Sequence, residues 1–456
     1  MTSALKPTFR DPAGSLTVED DRAVRRVRES ARASALQFIG SEFYRRAVER
    51  AEMVGTSVLS DDDAGLTLVH PRIAVPTYPW EWTQSQWLAA AELTLALCRE
   101  GLAGGWILKD ATPLNILFVG ARPVMVDVLS FERREPTSPI WLAYGQYVRT
   151  FLLPMLMNRL LRWPFELTLF KRDGYEPRET YRALSWGQRL SRAAFWPITL
   201  PAWLEGKGED QGKKSRAKKQ EPEVAAHVLK RMLEGLAKRT RRALPGDEAS
   251  EWAEYQGTLA HYTVEESAQK RRWVAQALGD LKPRTVLDIG ANTGEYSALA
   301  AGAGAQVIAL ERDAAAAERL FMRSRGLAIL TIHADVARPT PPAGWETGES
   351  SGLLARLEDR CELVMMLAVI HHLVLMEQIP LGAILELCRR LTRRYLMVEW
   401  VPVSDPMFQS LMRGREELYG ALKEGDLLAV CDGRFNVMRR EMLGNGRVLF
   451  LFEKIA

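Results

Sequence analysis

From Pro283 onward, short apolar runs alternate with segments whose apolar residues recur at helical spacing. Residues 285–289, 306–310, 327–332, 363–367 and 395–398 read as strands, each a brief and almost wholly apolar run. Between them 296–303, 314–325 and 380–391 read as helices. Strands alternating with helices predict a parallel, doubly wound α/β sheet. The end departs from this pattern. Two strand-like runs, 435–441 and 448–452, flank Asn445-Gly446, a dipeptide that favours tight hairpins, so an antiparallel edge is expected there.

Upstream the signals are helical. Residues 86–102 form one candidate helix, and 224–244 another, with Val228, Leu229, Met232, Leu233 and Leu236 at helical spacing. Thr263 followed by Glu266 forms a capping box that opens a helix through about Leu278. Two apolar stretches test as membrane segments. The first, 151–170, is interrupted by Pro154, Arg159, Arg162, Pro164 and Glu166. The second, 193–204, is too short, because a span needs about 20 apolar residues. Both are expected to be buried helices of a soluble domain, with a docking surface for a membrane or partner as the lesser reading. Residues 205–223 contain no apolar side chain larger than alanine and read as a flexible linker made basic by Lys213, Lys214, Arg216, Lys218 and Lys219. The expected organisation is a mostly helical domain over 1–204, the linker 205–223, a helical connector 224–282 and an α/β domain 283–456.

Composition narrows the picture. The 456 residues are 47% hydrophobic and 26% charged, an ordinary globular balance. A net charge of +4 gives nucleic acid little purchase and favours a small molecule or glycan as partner. The four cysteines, Cys98, Cys361, Cys388 and Cys431, lie far apart in apolar surroundings, so buried free thiols in a reducing compartment are expected. The polar N-terminus carries no apolar core of a secretory signal, and the expected location is cytoplasmic.

The strongest chemical signal is Val286-Leu-Asp-Ile-Gly-Ala-Asn-Thr-Gly-Glu-Tyr296. A strand delivers Asp288, and Gly290 and Gly294 then allow a tight turn into a helix whose N-terminus offers unpaired N–H groups. Glu311 follows the second strand, where a carboxylate can accept two hydrogen bonds from a ribose. Asp335 follows the third, where it can accept from an exocyclic amine.

Together these residues resemble the class I S-adenosylmethionine-dependent methyltransferases, over roughly the last 200 residues. The resemblance implies a Rossmann-like sheet with an antiparallel last strand and S-adenosylmethionine as cofactor. It places Asp288, Gly290, Asn292 and Gly294 around the methionine part, Glu311 at the ribose and Asp335 at the adenine. Asn292 stands where many members have glycine, and asparagine tolerates left-handed backbone better than most residues. The runs His333–Trp345 (HADVARPTPPAGW) and Leu367–Leu373 (LAVIHHL) are similar to bacterial methyltransferases related to a nodulation-protein group. His371 and His372, after the fourth strand, are candidate general bases, since neutral imidazole suits proton removal near pH 7. Glu399, after the fifth, is a candidate for substrate contact, with a salt-bridged strand-end acid as the plainer alternative. No metal site is expected, because adjacent histidines on a helix point apart and no third ligand is evident.

In the first half, Asp110-Ala-Thr-Pro-Leu-Asn115 is followed by Val124-Met-Val-Asp127. This spacing resembles the catalytic loop of the protein kinase-like and aminoglycoside phosphotransferase families. The resemblance implies Asp110 at the substrate hydroxyl, and Asn115 and Asp127 on Mg²⁺ bridging the phosphates of ATP. The departures are plain. Leu108 stands where the usual histidine would be, Val128-Leu129 follows Asp127, residues 1–80 hold no glycine-rich loop, and the only lysine before Lys109 is Lys6. Arg45 and Arg72 are candidate substitutes for the missing strand lysine. The expectation is a methyltransferase whose degenerate kinase-like half selects or docks substrate. The alternatives are a bifunctional kinase-methyltransferase acting on a sugar or glycan, and a non-catalytic interaction protein.

Overall fold

A computed structural model of the chain describes residues 11–19, 21–205, 220–244 and 263–455. Most of the lysine-rich stretch read as a linker lies outside them. The chain divides into two compact units, Met1–Glu248 with Ala343–Ser350, and Ala249–Pro342 with Ser351–Ala456.

The first unit is less helical than its pattern predicts. Strands β1 (Gly14–Val18), β2 (Arg22–Val27), β3 (Ser57–Asp62) and β4 (Gly65–Pro71) form an antiparallel sheet in the order β1-β2-β4-β3. Its apolar signal is weak because β2 carries three arginines and β3 is almost wholly exposed. Helix Glu29–Ile39 lies between β2 and β3 in the chain and packs on this sheet. Helix Gln84–Gly101 then opens at a Thr83/Gln86 capping box and buries Trp87, which meets Trp82, Phe151 and Phe165. Beyond it, β5 (Trp106–Leu108) pairs with β8 (Phe131–Arg133), and β6 (Ile116–Val119) pairs with β7 (Arg122–Met125) as a hairpin. The apolar stretch 151–170 is not one helix. It is split among a π-helical turn ending at Leu152, the helix Leu153–Leu161 and the 3₁₀ turn Phe165–Leu169, the helix stopping at Arg162 in a left-handed conformation. Among the described residues no helix is long and apolar enough to cross a membrane.

The stretch read as one connector is divided. Helix Pro222–Ala243 packs on helix Gln84–Gly101 of the first unit, burying Leu229, Leu233 and Leu236. Helix Val264–Leu281, opened by the expected capping box, packs Trp273, Val274, Ala277 and Leu278 into the core of the second.

That second unit is a seven-stranded mixed α/β sheet. Its strands are β9 (Thr285–Ile289), β10 (Gln306–Glu311), β11 (Ile329–His333), β12 (Cys361–Met366), β13 (Thr392–Trp400), β14 (Phe435–Met442) and β15 (Val448–Lys454). The order is β11-β10-β9-β12-β13-β15-β14. Strands β9 to β13 pair in parallel, and β15 runs antiparallel to both β13 and β14. The expected doubly wound sheet with an antiparallel final hairpin is therefore present, and Gly446 takes the positive φ of 81° at its turn. The central runs are unbroken because successive side chains are buried on opposite faces, as at Val286 and Leu287 or Val364 and Met365. All four cysteines are free and buried.

The chain leaves β9 towards β10 and β11, then returns across β9 to β12. Such a reversal opens a crevice at the carboxyl ends of the strands, where ligands of open α/β sheets bind.

Candidate functional site

The turn after β9 lies at that crevice. Gly290 has φ 72°, Asn292 φ 50° and Gly294 φ 81°, so the asparagine does adopt left-handed backbone. A Cβ on Gly290 would lie 2.6 Å from Val369 Cγ2, and one on Gly294 2.5 Å from Leu320 Cδ1. Both glycines thus serve backbone angle and close packing at once.

Two buried carboxylates face this turn. Asp288 Oδ2 accepts from Ser297 Oγ at 2.6 Å. Burial, with Glu311 nearby, pushes its carboxyl up to about 6 although the serine bond and the Lys270 charge oppose it. Glu311 accepts from two backbone amides, Asn292 N and Asp313 N, each at 2.7 Å. Burial raises its carboxyl too, against those two bonds. Neither makes an ion pair among the described residues; their hydrogen-bond partners are neutral donors. Asp335 differs. Its oxygens accept from Ala337 N at 2.8 Å and from the Arg338 guanidinium at 3.0 Å.

The histidines lie beyond β12. Ala368 takes φ 58°, and the six-residue helix Ile370–Leu375 follows. The imidazoles do not point apart as expected. Their ring centroids are 4.3 Å apart with a 43° tilt, near the start of this short helix. Burial, then Arg312 and Arg447, hold His372 below its ordinary range, which keeps it neutral at pH 7.

Glu399, at the end of β13, is fully buried. It pairs with Lys270 Nζ at 2.6 Å and Arg447 at 3.4 Å, and Arg447 Nε meets Asp405 Oδ2 at 2.8 Å. Lys270 Nζ also stands 4.8 Å from the Tyr296 ring centroid. Sequence reasoning missed Lys270, Arg447 and Asp405. One signal was available: Lys270 lies three, four and seven residues before Trp273, Val274 and Ala277, on the apolar face of its helix.

In the first unit, Asp110, Asn115 and Asp127 come together around the β6–β7 hairpin. Asn115 Nδ2 donates to the Asp110 carbonyl at 3.2 Å and to Ser130 Oγ at 2.9 Å. Ser130 Oγ in turn donates to Asp127. Asp110 accepts from Gln146, and burial raises its carboxyl. The cation at this cluster is neither Arg45 nor Arg72. It is Arg25 of β2, buried, with one guanidinium nitrogen 3.0 Å from Asp127 Oδ1 and 3.4 Å from Asp11. Its burial follows from its strand position, since Arg25 falls in register with buried Val27 and not with exposed Arg26.

Fold and site together define a doubly wound α/β domain with an acid-lined cradle at its switch point, in a chain that carries a second acidic cluster in a separate unit. No family model matches the chain. The nodulation protein NoeA of Rhizobium meliloti (strain 1021) is 28% identical over 470 residues, covering 98% of this chain and 95% of that protein. Among solved structures, magnesium protoporphyrin IX methyltransferase (ChlM) of Synechocystis PCC 6803 with bound SAH is 16% identical at a TM-score of 0.31, covering 49% of this chain and 95% of that one. The N-methyltransferase NodS of Bradyrhizobium japonicum WM9 is 12% identical at a TM-score of 0.31, covering 41% and 97%.

Proposed function

We propose that the second unit is an S-adenosylmethionine-dependent methyltransferase acting on a small molecule or glycan. The observation that carries this reading is the pair of buried carboxylates, Asp288 and Glu311, at adjacent strand ends, whose hydrogen bonds come from neutral donors and whose carboxyls burial holds above their ordinary values. Burying a carboxylate without a direct ion pair is costly, and a ligand bearing ammonium, sulfonium and ribose hydroxyl groups fits the deficit. S-adenosylmethionine supplies an electrophilic methyl group when bound. Asp288 offers its charge to the cationic end. Glu311, fixed by two amides, keeps lone pairs for two hydroxyls. Gly290, Asn292 and Gly294 bring the backbone close, and Asp335 borders the adenine end with its carboxylate already oriented by Arg338. Neutral His372 takes the proton of the acceptor, with His371 packed against it. Glu399, enclosed by Lys270 and Arg447, is a positioning residue.

Calorimetric titration with S-adenosylmethionine tests this. Saturable binding is expected, weakened about a hundredfold in Glu311→Ala, the size set by losing a charge-assisted pair of hydrogen bonds worth about 3 kcal/mol. A folded wild type that binds none would overturn the assignment.

For the first unit we favour a degenerate kinase-like scaffold that selects or docks substrate. ATP–Mg²⁺ fits this cluster poorly, because Arg25 already occupies the Asp127 oxygen that a metal ion would need. The bifunctional reading draws on the convergence of Asp110, Asn115 and Asp127, and measurable ATP–Mg²⁺ binding would favour it. The match to NoeA along nearly the whole chain supports treating the two units as parts of one working protein.

A further inference from the structure

One face of the first unit has no part in either cluster. Residues 181–204 fold into the short helix Trp186–Arg189, a π-helical turn Phe195–Thr199 and the start of helix Leu200–Glu205. Ala194, Pro197, Ile198 and Thr199 are buried and fix this segment to the unit. Its large apolar side chains point the other way. Trp186 is 72% exposed, Leu190 60%, Leu204 59%, Trp196 55% and Trp203 45%.

These are not scattered singles. The Arg189 guanidinium lies 4.3 Å from the Tyr181 ring centroid and 5.6 Å from that of Trp186. Trp203 Nε1 donates to Tyr181 Oη at 3.1 Å, and Phe195 meets Trp196 and Trp203 edge-on at 5.6 and 6.0 Å. Contacts therefore run unbroken from Trp186 through Arg189, Tyr181, Trp203 and Phe195 to Trp196. A contiguous exposed apolar patch of this kind marks an interaction surface.

Its charge identifies the partner. Residues 181–204 include Arg182, Arg189 and Arg192 and not one aspartate or glutamate. The sequence then continues through 205–219 with six lysines and arginines against three acids. Tryptophan with an apolar body and a polar N–H, interleaved with arginine, suits the boundary between lipid headgroups and acyl chains. A protein partner would need a matching acidic and apolar groove, whereas an anionic bilayer supplies both chemistries over any footprint.

We propose that the face formed by Trp186, Leu190, Trp196, Trp203 and Leu204, with Arg182, Arg189 and Arg192, docks the protein peripherally on an anionic lipid bilayer. The site lies on the surface of the first unit and is independent of the methyltransferase reading.

Co-sedimentation of the full chain with vesicles containing phosphatidylglycerol, and with phosphatidylcholine vesicles alone, tests the proposal. The wild type is expected to bind the anionic vesicles and to bind the neutral ones at least about tenfold more weakly. The triple variant Trp186→Ala/Trp196→Ala/Trp203→Ala is expected to lose about tenfold or more on anionic vesicles, with an unchanged circular dichroism spectrum because the side chains are exposed. Arg182→Gln/Arg189→Gln/Arg192→Gln, which keeps the aromatic body, is expected to remove the preference for anionic lipid. A wild type that ignores anionic vesicles overturns the proposal, as does a tryptophan variant that binds them as well as the wild type. If the wild type ignores vesicles but self-associates on gel filtration, and the tryptophan variant is monomeric, the occupant is a second copy and the bilayer is wrong.

Discussion

The two acidic clusters use similar residues and differ in whether a carboxylate makes a direct ion pair. In the second unit, Asp288 and Glu311 are buried and answered by a serine hydroxyl and backbone amides. In the first, Asp127 is answered by the Arg25 guanidinium, which also reaches Asp11. A carboxylate met by a buried cation is complete within the protein. One left with neutral donors carries an unfavourable charge until a ligand compensates it, and protein stability is commonly traded for function in this way. A direct ion pair, more than residue identity, separates Asp127 from Asp288 and Glu311, whereas Asp110, its carboxyl raised by burial and answered by Gln146, is closer to the second unit's pair. Glu399 is a control inside the second unit. It sits close to the same crevice, yet Lys270 and Arg447 meet its charge.

The largest effect is expected at that control. Glu399→Gln leaves Lys270 and Arg447 buried around a neutral amide, with Asp405 still paired to Arg447. Breaking a buried ion pair from one side costs about 3–5 kcal/mol, so urea denaturation should show a loss of about 3 kcal/mol. A loss below about 1 kcal/mol, paired with a large fall in methyl transfer, would make Glu399 a catalytic group and not a structural one.

Asp288 should behave in the opposite sense. Its folded-state carboxyl, at about 6, lies above the ordinary 3.8, so the protonated form is the stabilising one. That contribution is complete below about pH 4 and is lost as pH rises through about 6. Asp288→Asn stays neutral throughout. Without cofactor, its stability relative to wild type should therefore climb between pH 4 and 6 and level off about 3 kcal/mol higher. Thermal unfolding across that range is the measurement. A variant less stable than wild type at pH 7 would remove the argument that this carboxylate is strained in the empty cradle.

How far the sequence could reveal these differences depends on what holds each residue. The cradle was legible because its parts are local. An apolar five-residue run ending in Asp-x-Gly fixes a strand and its turn, and the acids after the next two strands follow from counting elements. The closing hairpin was equally local, in Asn445-Gly446. Arg25 was not legible in practice, since β2 offers Ala23, Val24 and Val27 among three arginines and its sheet presents an exposed partner strand. The ion network was out of reach for a different reason. Lys270, Glu399, Asp405 and Arg447 come from a helix before the sheet, a strand end, a loop and a hairpin turn, and only tertiary packing makes them neighbours. The left-handed Ala368 ahead of the histidine helix is likewise something no propensity would predict.

Removing the cation of the first cluster should cost less than removing Glu399. Arg25→Met preserves much of the buried length and leaves Asp127 and Asp11 without their shared partner. Asp127 and Asp11 keep some solvent contact, so the penalty should be about 1–2 kcal/mol, below the range for fully buried pairs. Denaturation monitored by tryptophan fluorescence would register it, because the first unit buries Trp80, Trp82, Trp87 and Trp106. S-adenosylmethionine affinity should stay unchanged. A shift in that affinity would contradict the view of two clusters that are balanced independently.

The smallest effect tests whether the crevice stores backbone strain. Ala368 has φ 58°, a conformation that costs a non-glycine residue about 1–2 kcal/mol. Its neighbour Val369 fills the space that a side chain on Gly290 would need, and the histidine helix begins one residue later. Ala368→Gly relieves the strain but adds freedom to the unfolded chain, so the net gain should be about 0.5–1 kcal/mol. The same freedom loosens Val369 beneath the turn, and S-adenosylmethionine should bind about two- to threefold more weakly, a shift of about 0.5 kcal/mol. Stability rising while affinity falls would place the strain in the service of the site. Stability falling would mean that packing of the Ala368 methyl outweighs its backbone cost, and the left-handed residue would then be a by-product of how the fourth strand ends.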